Sequence, residues 1–85
     1  MNYAIDWTAL ARGQLAAIWV QQVPLRQAIT AAQARIDQLL AAAPLQYGRH
    51  VSEGLFAIEV HPLRAQFEIS DDDQLFTVVS VALLP

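Results

Sequence analysis

The chain has no cysteine and no lysine, only three glycines and one methionine, and charged residues fill just 15 % of its 85 positions. Each shortage removes a class of function. Without thiols there is no disulfide framework and no thiolate metal or redox centre. Without lysine, the permanent positive charge rests on Arg12, Arg26, Arg35, Arg49 and Arg64, which face eight acidic residues for a net charge of −3. Proteins that live on nucleic acid usually carry a basic patch, because neutralising phosphates drives their affinity. None is evident here, so a nucleic-acid role would have to rest on one or two placed arginines. No stretch approaches ~20 uninterrupted apolar residues, so nothing is expected to span a membrane. The opening Met1–Asp6 has neither a basic segment nor a long apolar one, so no secretory leader is expected and the default location is cytoplasmic.

What the chain has in quantity is apolar side chain, 55 % of residues. That is ample for the core of one small domain spanning residues 1–85. It also leaves apolar surface to cover, which suggests a protein partner. No internal repeat or low-complexity linker divides the chain.

The pattern of residues predicts an α+β fold in the order β-α-α-β-β-β. Residues 3–7 (Tyr-Ala-Ile-Asp-Trp) alternate and are rich in β-formers, which predicts a strand. Thr8 offers a hydroxyl cap for a helix over about 9–22, whose apolar face would carry Ala11, Leu15, Ile18 and Trp19. Pro24 breaks that run and suits the first turn of a second helix, about 25–42. There Leu25, Ala28, Ile29, Ala32, Ile36, Leu39, Leu40 and Ala43 recur at three- to four-residue steps, and Pro44 ends the run. Residues 44–53 read as a polar loop and 54–61 as a strand, with a bend at Pro62. Leu63, Ala65, Phe67 and Ile69 then alternate with Arg64, Gln66, Glu68 and Ser70, the pattern of a half-buried strand. Asp71–Asp73 form a turn. Residues 75–83 make a last strand that is apolar on both faces, expected inside the sheet or under a partner. The last three strands form a meander, and the helical hairpin covers one face of a mainly antiparallel sheet. Trp7 and Trp19 both fall on apolar faces and read as core anchors.

At several places the sequence resembles the RelE/ParE toxin family of type II toxin–antitoxin systems, the plasmid-stabilisation type. The opening Tyr3-x-Ile5-x-Trp7-Thr8-x-x-Ala11 is similar to the family's start, and so is Leu15-x-x-Ile18-Trp19. The stretch from Ile36 to Gly48 resembles the family's long helix and following loop. Glu53-Gly54-Leu55 and the segment His61 to Asp73 match its central hairpin. No single motif is specific, but their order and spacing cover nearly the whole chain. The resemblance implies a cognate antitoxin whose disordered tail folds across the surface. It also implies one of two targets: mRNA on the ribosome, cleaved by RelE-like members, or DNA gyrase, bound by ParE-like members that are not nucleases.

Cleaving RNA requires charge stabilisation at the phosphate, help for the 2′-hydroxyl and a proton for the leaving oxygen. By resemblance, Arg64 stands where the family places an arginine on the middle strand of the meander, and its guanidinium could fork a phosphate. Glu53 aligns loosely with an acidic base of some members. Arg49, His50 and His61 are the other polar candidates, as target-binding residues. Bland readings stand beside these: Arg64 as a solvent-face arginine paired with Glu59 or Glu68, Glu53 as a loop carboxylate, His61 as a turn residue and His50 as simply exposed. Active ribonucleases of the family carry a basic, His or Tyr residue at or after the last strand, where this chain has Val81-Ala82-Leu83-Leu84-Pro85. Phe56, Ala57 and Ile58 replace the lysines of the RelE second strand. The expectation is therefore a ParE-like binder, with a messenger-cleaving enzyme and a non-toxic interaction domain as the alternatives. No cofactor or metal is expected. The Asp71–Asp73 run would need glycine at 76 and glutamate at 82 to make a calcium loop, and Phe76 and Ala82 stand there.

Overall fold

The computed structural model describes residues 4–42, 49–70 and 72–85. The described elements are β1 (Ala4–Trp7), α1 (Ala9–Gln21), a 3₁₀ turn (Val23–Leu25), α2 (Arg26–Ala42), β2 (Arg49–Ser52), β3 (Leu55–Val60), β4 (Leu63–Ser70) and β5 (Leu75–Leu83). They form one five-stranded sheet in the order β1-β5-β4-β3-β2. β1 runs parallel to β5, and the other pairs are antiparallel. The expected class, element order and meander hold. One difference lies in the expected loop over 44–53, where Arg49–Ser52 forms a fifth, edge strand against β3. All four of its residues are exposed, so it has no buried apolar face to mark it in sequence. The proposed stop at Pro44, together with Ala43 and Asp71, lies outside the described residues.

Local chemistry sets the element ends. Thr8 caps α1, its hydroxyl accepting from the Ala11 N–H at 3.1 Å. The last turn of α1 carries no basic residue of its own. Arg26, at the start of α2, serves instead: its Nε and Nη2 donate to the carbonyls of Trp19 and Val20 at 2.9 and 3.2 Å. Those carbonyls belong to the last turn, whose acceptors lack helical partners. The guanidinium carbon also sits 4.2 Å above the Trp19 ring.

The core lies between the helices and one face of the sheet. α2 contributes Ile29, Ala32, Ile36 and Leu40, a seam at three- to four-residue spacing. α1 contributes only Ala11 as a fully buried residue. From the sheet come Ile58, Leu63, Ala65, Phe67, Phe76, Val78 and Val81. Phe56, Phe67 and Phe76 pass ring to ring across β3, β4 and β5 at centroid separations of 5.7 and 6.0 Å. Such pairs add about 0.5–1.5 kcal/mol beyond their area burial.

β5 is central, as its two apolar faces suggested, and a bulge explains the pattern. Phe67 pairs with Val78 but Gln66 pairs with Ser80, so Val79 is an extra residue. Before the bulge Phe76 and Val78 face the core; after it Val81 does, while Ser80 and Ala82 sit opposite Gln66 and Arg64 on the outer face. One inserted residue reverses the parity of a strand.

β1 covers β5 only as far as Val78. Beyond that point α1 takes over: the Thr8 N–H donates to Val78 O at 3.0 Å, and Gln14 Oε1 accepts from the Val81 N–H at 2.8 Å. This side chain satisfies a strand edge that would otherwise invite another chain.

Candidate functional site

Two surfaces hold the residues that can do chemistry or recognition. The first is a groove of about 760 Å³ between α1, α2 and β1. Ile5, Leu15, Trp19, Val20 and Ile29 give it an apolar lining, and Trp7, Gln33 and Asp37 form its polar part. Trp7 is the link between them. Its ring packs on the core while its Nε1–H donates to Asp37 Oδ1 at 3.0 Å; Gln33 Nε2 donates to the other carboxylate oxygen at 3.3 Å. The expectation for Trp7 as an anchor therefore holds. Trp19 departs from it: the ring is 41 % exposed and forms part of the groove wall under Arg26. α1 is short of apolar stripe, with alanines at 9, 11, 16 and 17, so its Trp has no deep seat between sheet and helix. Val20 and Val23, 61 % and 60 % exposed, extend the apolar surface past the groove rim.

The second surface is the outer face of the sheet. Arg64 on β4 lies directly opposite Glu59 on β3, and Arg49 on β2 is opposite Ala57, one same-face step from Glu59. Both arginines converge on one oxygen, Glu59 Oε2, with Arg49 Nη2 at 3.3 Å and Arg64 Nε at 3.9 Å. The expected pairing of Arg64 with a strand carboxylate is thus present, with Glu59 and not Glu68. Beside Arg64 lies a depression of about 250 Å³ bordered by Gln14, Gln66, Ser80, Val81 and Ala82.

The remaining sequence candidates lie elsewhere. Glu53 is exposed, next to Gly54, at the β2–β3 turn. β3 runs Leu55 opposite Glu68 and Glu59 opposite Arg64, so this turn is at the far end of the hairpin from Arg64. At about 3.3 Å per residue the separation along the strand exceeds ~13 Å. His50 turns to the other side of β2, its ring edge-on to Phe56 at 5.4 Å. His61 is exposed in the turn between β3 and β4, before a cis bond to Pro62, at the same end as Arg64. Arg49 and Arg64 are therefore brought together, and Glu53 and His50 are not brought to them. Sequence reasoning did not single out the groove or Gln14. A signal existed for the groove, since Leu15, Trp19 and Trp7 carry more apolar bulk than the buried part of α1 uses. No group of His, Asp and Glu with metal-ligating geometry occurs among the described residues. No helix among them is long and apolar enough to cross a membrane.

No protein-family model matches the chain, and no curated protein matches it in sequence. Solved structures do. A chain of the RelBE2 toxin–antitoxin complex from Mycobacterium tuberculosis superposes with a TM-score of 0.79 at 22 % identity, covering 98 % of this chain and 99 % of that one. A chain of the chromosomal ParDE toxin–antitoxin system of P. aeruginosa gives 0.72 at 21 % identity, with 98 % and 97 % covered. The isolated E. coli RelE toxin gives 0.69 at 13 % identity, with 98 % and 85 % covered. Two helices on one face of a five-stranded mixed sheet, matched end to end in these structures, give this chain the fold of the RelE/ParE toxins.

Proposed function

We propose that this chain is the toxin component of a type II toxin–antitoxin pair, acting by binding a cellular target and held in check by a cognate antitoxin. The observation that carries the reading is end-to-end coverage by the fold of chains from two toxin–antitoxin systems, together with an open apolar groove on the helical side. A groove of this size, rimmed by exposed Trp19 and Val20, suits an amphipathic segment of the antitoxin. With a net charge of −3, apolar burial would supply most of the affinity and the arginines the register.

Binding is favoured over RNA cleavage by the arrangement of the sheet face. Arg64 is paired with Glu59, Glu53 lies at the other end of the hairpin, and β5 ends without a side chain able to donate a proton to a leaving oxygen. DNA gyrase, the target of ParE-like toxins, is accordingly the first target to test.

The experiment is induced expression of this chain alone, with growth, message integrity and plasmid supercoiling read from one culture. Arrest with intact messages and altered supercoiling is the expected result. Arrest with cut messages would replace this reading with a messenger-cleaving enzyme. Normal growth with a soluble, folded product would leave a non-toxic interaction domain.

A further inference from the structure

The groove on the helical side has two unlike walls. The α1 wall is apolar, with Leu15, Ala16, Trp19 and Val20. The α2 wall carries Thr30, Gln33 and Asp37 at steps of three and four residues, which sets them on one helix face. Asp37 is half-buried there, and its carboxylate accepts from neutral donors alone, the Trp7 indole at 3.0 Å and the Gln33 amide at 3.3 Å. No arginine or histidine comes within ion-pair distance of it among the described residues. The other charged residue on the lining, Arg12, reaches Asp6 instead, at 3.8 Å. The groove therefore holds one carboxylate without a counter-ion, set beside apolar walls where water screens it less than on the open surface.

The capacity these polar groups have left is for accepting. A carboxylate has about four lone-pair sites, and two donors do not fill them. Gln33 gives its –NH2 group to Asp37 and keeps its carbonyl oxygen. Spare acceptors, a negative charge and two indole rings are together complementary to a group that only donates and is positively charged. Trp19 already holds one guanidinium, that of Arg26, 4.2 Å above its ring. We propose that the segment docking in this groove carries an arginine or lysine on its groove-facing side, and that Asp37 is the counter-ion that selects it. The occupant is a short amphipathic helix, with an apolar stripe against α1 and one cation against α2. The lining runs along α1 from Arg12 to Val20, about 12 Å, so roughly two turns of such a helix fill it. Covered by the docked segment, the pair is screened little by salt, and its main effect is to reject segments that lack the cation. Only the origin of the segment rests on the toxin–antitoxin reading; the charge selection belongs to the groove itself.

The selection is testable on the full chain with three probes that share an apolar body and differ in the head: phenethylammonium, phenethyl alcohol and hydrocinnamate. Each is titrated at constant ionic strength while the indole Nε1–H resonances of Trp7 and Trp19 and the side-chain amide of Gln33 are followed. The cation should bind about tenfold more tightly than the alcohol, and the anion more weakly than either. Asp37→Asn keeps the shape and should bring cation and alcohol within about twofold of each other. Equal affinity of cation and alcohol for the wild-type chain would overturn the inference without recourse to any variant, and so would a preference that survives D37N. The toxin–antitoxin reading fails separately. Cation selection in a chain that does not arrest growth would remove the antitoxin as the source of the segment and leave the site standing; growth arrest without cation selection would do the reverse.

Discussion

Asp37 is held by two donors, and the stronger is the Trp7 indole at 3.0 Å. This bond joins β1 to α2 across the floor of the groove, so its loss should register in stability and in partner binding together. A hydrogen bond to an ionised group contributes about 1.5–3 kcal/mol when buried. Trp7 and Asp37 are only half-buried, so about 1 kcal/mol is the coupling to expect between them. Trp7→Phe loses that bond and part of the indole's packing, for a total near 2 kcal/mol. Asp37→Asn keeps the shape and an acceptor but removes the charge, for about 0.5–1 kcal/mol. A double-mutant cycle by urea denaturation reads the coupling, because W7F removes the bond that D37N weakens by taking away the acceptor's charge. In a domain of this size 1 kcal/mol corresponds to about 4–8 °C in Tm, well within calorimetric resolution. Effects of W7F and D37N that simply add, with no coupling above about 0.3 kcal/mol, would refute the view that this bond fastens β1 to α2.

Phe67 is completely buried between Phe56 and Phe76, so Phe67→Ala should cost about 3–5 kcal/mol and leave little folded protein at 37 °C by circular dichroism. Gly54 turns the β2–β3 hairpin at φ +75° with open space around it; Gly54→Ala should cost about 1 kcal/mol of stability through backbone strain alone, with no change in the core resonances. Val20→Glu, on an exposed rim position of the groove, should leave Tm within about 2 °C yet weaken antitoxin binding at least tenfold by calorimetry, since it would desolvate a charge against an apolar segment. Deleting Val79 should leave the chain folded by circular dichroism with a regular β4–β5 ladder, because Val78 still faces Phe67, Ser80 still faces Gln66 and Val81 still points inward once the extra residue is gone.

The fold was legible where burial is one-sided and periodic. The α2 seam of Ile29, Ala32, Ile36 and Leu40 and the alternation along β4 each report one buried face, and both elements lie where the periodicity put them. β2 was not legible because an exposed four-residue edge strand buries nothing, and its pairing is carried by backbone bonds that any side chain permits. β5 was legible as a central strand but not as a bulged one: Val78-Val79 offers two equivalent apolar residues, and only the pairing with Phe67 and Gln66 shows which is extra. Trp19 misled because helical spacing reports which side chains share a face, not whether the neighbouring helix comes close enough to cover them. On the site, alternation correctly grouped Arg64 with Gln66 and set it against the strand carboxylates. The convergence of Arg49 on Glu59 depended on the register of β2, which the sequence did not reveal.

The distribution of charge bears on how such a protein could bind anything. Its two faces divide the work unevenly. On the helical side the exposed large apolar residues Trp19, Val20 and Val23 cluster near one groove, where Arg12 on the lining lies 3.8 Å from Asp6 and Arg26 is engaged by helix carbonyls and the Trp19 ring. On the sheet side the cations are Arg49 and Arg64, and a single glutamate faces both. Neither face offers the broad positive field that steers association with nucleic acid. Affinity for a partner must therefore come from apolar area on the helical side, and will change little with salt. Whatever anion meets the sheet face must compete with Glu59, and will weaken as salt rises because the charges are open to screening. The two faces can be separated by that criterion alone: binding that survives high salt belongs to the groove, and binding lost in salt belongs to the arginines.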